Sequence, residues 1–316
     1  MIRPWILLAA LVLAAPLAAD AAVPVVAATG EVPALVDVAW LETHRKDVVV
    51  VDLQAPKAFE SFHIPGSVNL PYAVWRTHAP KGNKDPSVLE SMLPPPARLA
   101  AMLGAAGIGD DDHVVIAATG QGAGDLASAA RVYWTFKVLG HDAVSVLDGG
   151  LVGYAKAGRR LVQGTERRAP TLFKAKLRPD MVPDAAGVQT LIAAGAQPVD
   201  ARSEGEFVGI YTGDNDERPG TIPGARNLPY DWVTADGSGR MRSPGALREL
   251  FTARGIDPEG TQVHFCHSGS RAALTWFASY AVLGNHDAKL YDGSMMEWAQ
   301  RKDLPIATEI ELCDAC

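Results

Sequence analysis

Basic clusters, cysteines and long apolar runs are all scarce in this sequence, and each shortage removes a class of function. Lysine and arginine together number 29 against 36 acidic residues, a formal net charge of −7. No Lys/Arg block interrupts that balance, so the footprint of a nucleic-acid binder is missing. Beyond the first two dozen residues, no apolar run approaches the roughly 20 helical residues a bilayer span requires. Only three cysteines occur, Cys266, Cys313 and Cys316. None follows the leading apolar run closely, which leaves no lipoprotein anchor. In an oxidising compartment an odd count leaves one thiol over.

The leading run itself reads MIRPWILLAALVLAAPLAADAAVP. Arg3 supplies a charged start, Ile6 to Ala15 a short apolar core, and Ala19-Asp20-Ala21 a small-x-small cleavage pattern. These features predict a secretory signal peptide over residues 1–22 and no membrane association after its removal. The mature protein is expected to be periplasmic or secreted. At the other end, Cys313 and Cys316 form CDAC within a tail at 309–316. They are close enough to pair with each other or to bind a metal. Either outcome leaves Cys266 free.

The chain between these ends is written twice. Asp52 matches Asp200, Ile64-Pro65-Gly66 matches Ile222-Pro223-Gly224, and Asn69-Leu70-Pro71-Tyr72 matches Asn227-Leu228-Pro229-Tyr230. VLGHDAVSVLDGG at 138–150 matches VLGNHDAKLYDGS at 282–294. Order and approximate spacing are both kept, which predicts two homologous domains at 30–160 and 183–308. The charged, proline-containing stretch 161–182 is expected as a linker across the surface. In each half short apolar strands alternate with helical segments, so the fold class is α/β with mainly parallel sheets flanked by helices. In such sheets ligands bind at the carboxyl ends of strands.

The two halves differ most in the loop after their central strand. The second half reads HFC-HSGS-RAALTWF; the first reads VIAATGQGAGDLASAARVYWTF and has no cysteine. Aligned from the strand, Ala117 stands in the cysteine's place. Gly120, Gly122 and Gly124 are spaced G-x-G-x-G, not as a dinucleotide loop requires. Cys266 thus sits at the end of a strand and the mouth of a helix. The helix start offers unpaired N–H groups, and His267, Ser268, Gly269 and Ser270 suit a tight anion nest. Arg271 adds a fixed positive charge. These features favour a reactive thiolate, with an anionic substrate beside it.

In this combination the sequence resembles the rhodanese family of sulfurtransferases over nearly the whole mature chain. The carriers are the Asp52 and Asp200 strands, the paired IPG turns, the DGG and DGS strand ends, and CHSGSR. The resemblance implies an inactive first domain and a second domain with Cys266 as the catalytic residue. It implies a sulfane sulfur taken from thiosulfate or 3-mercaptopyruvate and passed to cyanide or a thiol through a persulfide, without a separate cofactor or metal. The expected partners are a small anionic sulfur donor, a thiol or cyanide acceptor, and a protein sulfur acceptor. The alternative is a carrier that holds persulfide sulfur for a protein partner without turnover of small molecules. His267, Ser268, Gly269, Ser270 and Arg271 are the expected substrate-binding residues. Tandem relatives carry a basic residue in the region of 209–220, which makes Arg218 a further candidate. The C-x-x-x-x-R spacing is one residue shorter than the related phosphatase loop. Asp200 and Arg202 are expected to stabilise the fold, and His264 to bond within the sheet. Trp232 and Trp298 fit either a pocket wall or the core. The cluster Asp214, Asp216 and Glu217 lacks a full calcium pattern.

Overall fold

A computed structural model describes residues 32–79, 88–212 and 218–310. The leader at 1–22, the acidic cluster Asp214, Asp216 and Glu217, and the Cys313/Cys316 pair lie outside the described residues.

In the first half, β1 (Leu35–Val36), β2 (Val48–Asp52), β3 (Val68–Asn69), β4 (His113–Ala117) and β5 (Val144–Leu147) form one sheet in the order β1-β5-β4-β2-β3. Its helices are α1 (Val38–His44), α2 (Pro56–Ser61), α3 (Pro96–Ala105), α4 (Ala123–Val138) and α5 (Gly150–Lys156). In the second half, β6 (Gln197–Asp200), β7 (Arg226–Asn227), β8 (Gln262–Phe265) and β9 (Lys289–Leu290) align as β7-β6-β8-β9. They are flanked by α6 (Ala185–Ala193), α7 (Glu204–Val208), α8 (Pro244–Ala253), α9 (Ala272–Phe277) and α10 (Ser294–Trp298). α9 runs on into a π-helical turn at Ala278–Val282. Every strand ladder is parallel. The reason is visible in β2, where VVVVD is β-branched and buried along nearly its whole length, as a sheet covered on both faces demands.

The repeat therefore corresponds to β2, β3, β4 and β5 against β6, β7, β8 and β9. One hydrophobic cluster crosses from half to half, joining Val51, Ile116 and Trp134 to Val199, Cys266 and Trp276. α4 and α9 meet in this shared core, where Tyr133 packs edge-on to Phe277 with ring centroids 4.9 Å apart. Twelve of the sixteen residues of α4 are buried, as expected of a helix covered on all sides. The stretch expected as a surface linker is strapped to the first domain. The amides of Thr171, Lys176 and Arg178 donate to the carbonyls of Gly104, Leu139 and Val138, and Phe173 is buried. Those carbonyls terminate α3 and α4, so the strap satisfies acceptors that a helix end leaves open.

Candidate active site

Cys266 follows the last residue of β8 and is only 1% exposed. Three backbone contacts hold it. Its amide donates to Ser294 Oγ at 3.1 Å, its carbonyl accepts from Met295 N at 3.0 Å, and the His267 carbonyl accepts from Met296 N at 2.9 Å. The first turn of α10 thus grips the start of the loop. Ser294 does so from a left-handed backbone (φ 50), a conformation that costs a non-glycine residue about 1 kcal/mol or more. Its hydroxyl also donates to the Tyr291 carbonyl. The repeat-related position is Gly150, which adopts the same conformation (φ 53) without that penalty.

The sequence-predicted residues His267, Ser268, Gly269, Ser270 and Arg271 come together as one turn beside Cys266. Gly269 is buried and left-handed (φ 74); the other four are half-buried. Among the described residues, no carbonyl or side chain takes up the N–H groups of Ser268, Gly269, Ser270 or Arg271. Successive N–H groups of this kind make an anion-binding concavity. Behind Gly269 lies a buried ion pair between Arg131, from α4, and Asp292. A Cβ at position 269 would stand 2.7 Å from Arg131 Nη1 and 3.1 Å from Asp292 Oδ1, so a side chain there would crowd the ion pair from a left-handed backbone that favours glycine. Asp292 also accepts from Leu93 N at 2.7 Å, and Tyr72 Oη donates to Ser270 Oγ at 3.0 Å. Tyr72, Leu93 and Arg131 all belong to the first domain. Sequence reading missed them, because nothing local to 72, 93 or 131 says that they reach a loop in the other half.

Arg271 was expected to face a substrate anion. Its fork is instead occupied within the protein: Nη1 and Nη2 each donate to one oxygen of Glu206, both at 2.8 Å. Glu206 is pinned from its other side by the amide and hydroxyl of Ser203, as the third residue of a capping box that opens α7. Burial alone would push the Glu206 carboxyl up, but Arg271 and Ser203 outweigh it and bring its pKa down to about 2. Burial likewise works against the Arg271 charge, yet Glu206 and the nearby Cys266 and Asp200 raise its pKa. Glu206 is therefore part of the site. The Ser-x-x-Glu signature at 203–206 could have flagged the cap, though not the partner.

Arg218, expected to reach the substrate, has other contacts. Nε donates to the Ala299 carbonyl at 3.0 Å, and Nη2 to those of Arg301 and Leu304 at 2.7 and 2.9 Å. These carbonyls follow α10, whose opposite end holds Cys266. Arg218 clamps that exit, and the structure does not bring it to the thiol loop. Asp200 and Arg202 form a buried pair, with Thr221 and Asn227 completing the network that ties β6 to β7. His264 is buried between Thr275 and Gln262, and desolvation lowers its pKa to about 3. Trp298 packs in the core with Tyr291, and Trp232 lies half-buried beneath Arg254. Surface clefts of about 310 and 460 Å³ lie on the first domain, lined by residues remote from Cys266.

The sheet register corrects one assignment. Asp52 pairs with Ala117 and Asp200 with Phe265, so Ala118, not Ala117, is the counterpart of Cys266. The amides of Leu151 and Val152 donate to the carbonyls of Ala118 and Thr119, repeating the grip of Met295 and Met296. Beyond that shared grip the two loops diverge. Gly239 of the second domain enters the first-domain loop, with its carbonyl accepting from Gly149 N at 3.0 Å. A Cβ on Gly239 would lie 2.5 Å from the Gly120 carbonyl oxygen. The next strand end is held too, by Met241 N donating to Asp148 at 2.9 Å.

Comparison with known proteins places this geometry. A family model described as the rhodanese-like domain matches the chain twice, at residues 36–157 and 184–301. Human 3-mercaptopyruvate sulfurtransferase is 35% identical over 253 residues, covering 78% of this chain and 80% of its own. A putative thiosulfate sulfurtransferase of Mycolicibacterium smegmatis is 31% identical, covering 86% of this chain and 96% of its own. The crystal structure of an Escherichia coli 3-mercaptopyruvate sulfotransferase superposes with a TM-score of 0.70 at 27% identity, covering 82% of this chain and 98% of its own.

Proposed function

This chain belongs to the rhodanese family, as a tandem of two rhodanese-like domains, and we propose that it is a sulfurtransferase working through a persulfide on Cys266. Donors are thiosulfate or 3-mercaptopyruvate; acceptors are cyanide or a thiol. The observation that carries the reading is the position of Cys266 at a strand end, beside a turn in which the N–H groups of Ser268, Gly269, Ser270 and Arg271 face no partner within the described residues.

With thiosulfate, the Cys266 thiolate attacks the outer sulfur. The S–S bond of the donor breaks, sulfite leaves with the bonding electron pair, and the transferred sulfur remains as Cys266 persulfide. An acceptor nucleophile then attacks that outer sulfur and releases the Cys266 thiolate. Negative charge passes across sulfur in both steps, and N–H donors already in position stabilise it without reorganisation. Ser294 occupies the Cys266 amide and fixes the backbone from which Sγ projects. The turn binds the small anionic donor; no separate cofactor takes part.

The leader supports export, with the mature enzyme periplasmic or secreted and free of the membrane. Cys313 and Cys316, spaced C-x-x-C, suit a dithiol that takes sulfur or presents the tail to a protein acceptor. The test is thiocyanate formation from thiosulfate and cyanide by the mature protein, beside Cys266→Ala. Activity confined to the wild type is the expected result. Activity surviving in the variant overturns the assignment of Cys266. Inactivity with both donors favours the non-turnover carrier.

A further inference from the structure

We propose that Glu206 sets donor preference, withholding from dianionic donors an attraction that Arg271 would otherwise supply. The inference rests on the sulfurtransferase reading and concerns the same site. Arg271 is the permanent cation of the Cys266 turn, and both of its forked donors end on Glu206 at 2.8 Å. Bidentate pairs of this kind are the strong ones. Glu206 is not free to swing aside for an incoming anion, because Ser203 N and Oγ hold it at 3.1 and 2.8 Å as the cap of α7. Among the described residues the other cation against the turn is Arg131, which meets Asp292 through Nη2 alone. Among the described residues both arginines beside the turn thus face a carboxylate, which leaves the backbone N–H groups of Ser268 to Arg271 as a main attraction for a donor.

That arrangement distinguishes donors by charge. Thiosulfate is a dianion at neutral pH and 3-mercaptopyruvate a monoanion. Coulomb energy scales with the product of charges, so cancelling Arg271 removes twice as much attraction from the dianion. Specificity is a difference of this sort, and it is commonly built by placing an unfavourable charge as well as favourable ones.

The substitution Glu206→Gln tests the idea with little structural disturbance. Glutamine serves at the third position of a capping box, and its amide oxygen still accepts from Arg271. The measured quantity is the ratio of kcat/KM for thiosulfate to kcat/KM for 3-mercaptopyruvate. We expect this ratio to rise about tenfold in Glu206→Gln, and added salt to lower it in the variant while leaving the wild type nearly flat. Arg271→Gln, which leaves the carboxylate unopposed, lowers the ratio below the wild-type value. An unchanged or falling ratio in Glu206→Gln overturns the inference, as does a ratio that does not fall in Arg271→Gln. Loss of turnover with both donors in Glu206→Gln overturns it alone, since the carboxylate is then required rather than selective. A wild type inactive with both donors overturns the sulfurtransferase reading as well.

Discussion

β4 and β8 are built alike, end in the same register, and open into loops with opposite fates. After β8 comes a thiol whose amide is taken by Ser294 and whose turn is braced by Tyr72 and the Arg131–Asp292 pair. After β4 comes Ala118, in a loop entered by Gly239. Each domain reaches into the other's loop, but one insertion fills its target and the other supports it. The first domain is thus no idle duplicate: its Arg131 closes the floor under Gly269. The strand ends differ in kind as well. Asp200 has the guanidinium of Arg202, whereas the Asp52 carboxylate accepts from the amide and side chain of Gln54.

The most severe way to break this contrast is to move the thiol. Cys266→Ser is expected to lose sulfur transfer down to the uncatalysed background. Adding Ala118→Cys to that variant is expected to restore nothing, because the Gly239 segment occupies the loop where a donor would sit. Thiocyanate release reads both; recovery in the double variant would show that the loops are interchangeable.

Next in size is the brace between domains. Arg131→Met leaves Asp292 buried without its cation and should cost about 3–5 kcal/mol in denaturant unfolding. Adding Asp292→Asn should recover most of that stability but not the turnover. Stability unchanged in the single variant would mean that the pair does not hold the domains together.

Asp52 sharpens the contrast through pH. Burial raises its carboxyl from the usual 3.8 to about 6, against the opposing Gln54 hydrogen bonds. Between these values the folded state keeps a proton that the unfolded chain has released. Stability is therefore lost as pH rises through the window, and the penalty is complete above it. Asp52→Asn is expected to stabilise by about 3 kcal/mol at pH 7 and to have no effect below pH 3.8. A gain that persists in acid would point to a cause other than the carboxylate.

The smallest effect is expected at the pair Gly150 and Ser294. Ser294→Gly relieves a left-handed serine but frees the Cys266 amide, so the two stability terms nearly cancel. Turnover should fall about tenfold, or roughly 1.4 kcal/mol of barrier, with the melting temperature nearly unchanged. Equal activity would remove Ser294 from the account.

Distance along the chain decides how much of this could be read beforehand. The repeat was legible because its markers, Asp52 and Asp200 and the two IPG turns, are short and local. Cys266 was legible because strand end, thiol and turn are contiguous. The partners of the turn were not. Glu206 reads as a helix cap, and only the folded chain brings it to Arg271. Arg131 reads as a stray cation in an apolar helix until α4 packs against α9. Arg218 was placed by analogy of region, and three backbone carbonyls after α10 claimed it. Ala118 was missed by one residue because loops of unequal length carry no register, which only the strand pairing with Asp52 supplies.

The central claim is that the sulfur taken from the donor is first carried on Cys266. The most direct measurement is the intact and peptide mass of the mature protein after incubation with a sulfur donor, without acceptor. The account predicts the mass of one added sulfur atom, on the peptide containing Cys266, lost on adding cyanide and absent in Cys266→Ser. Sulfur on the peptide containing Cys313 and Cys316 with none passing through Cys266, or sulfur persisting in Cys266→Ser, would contradict it.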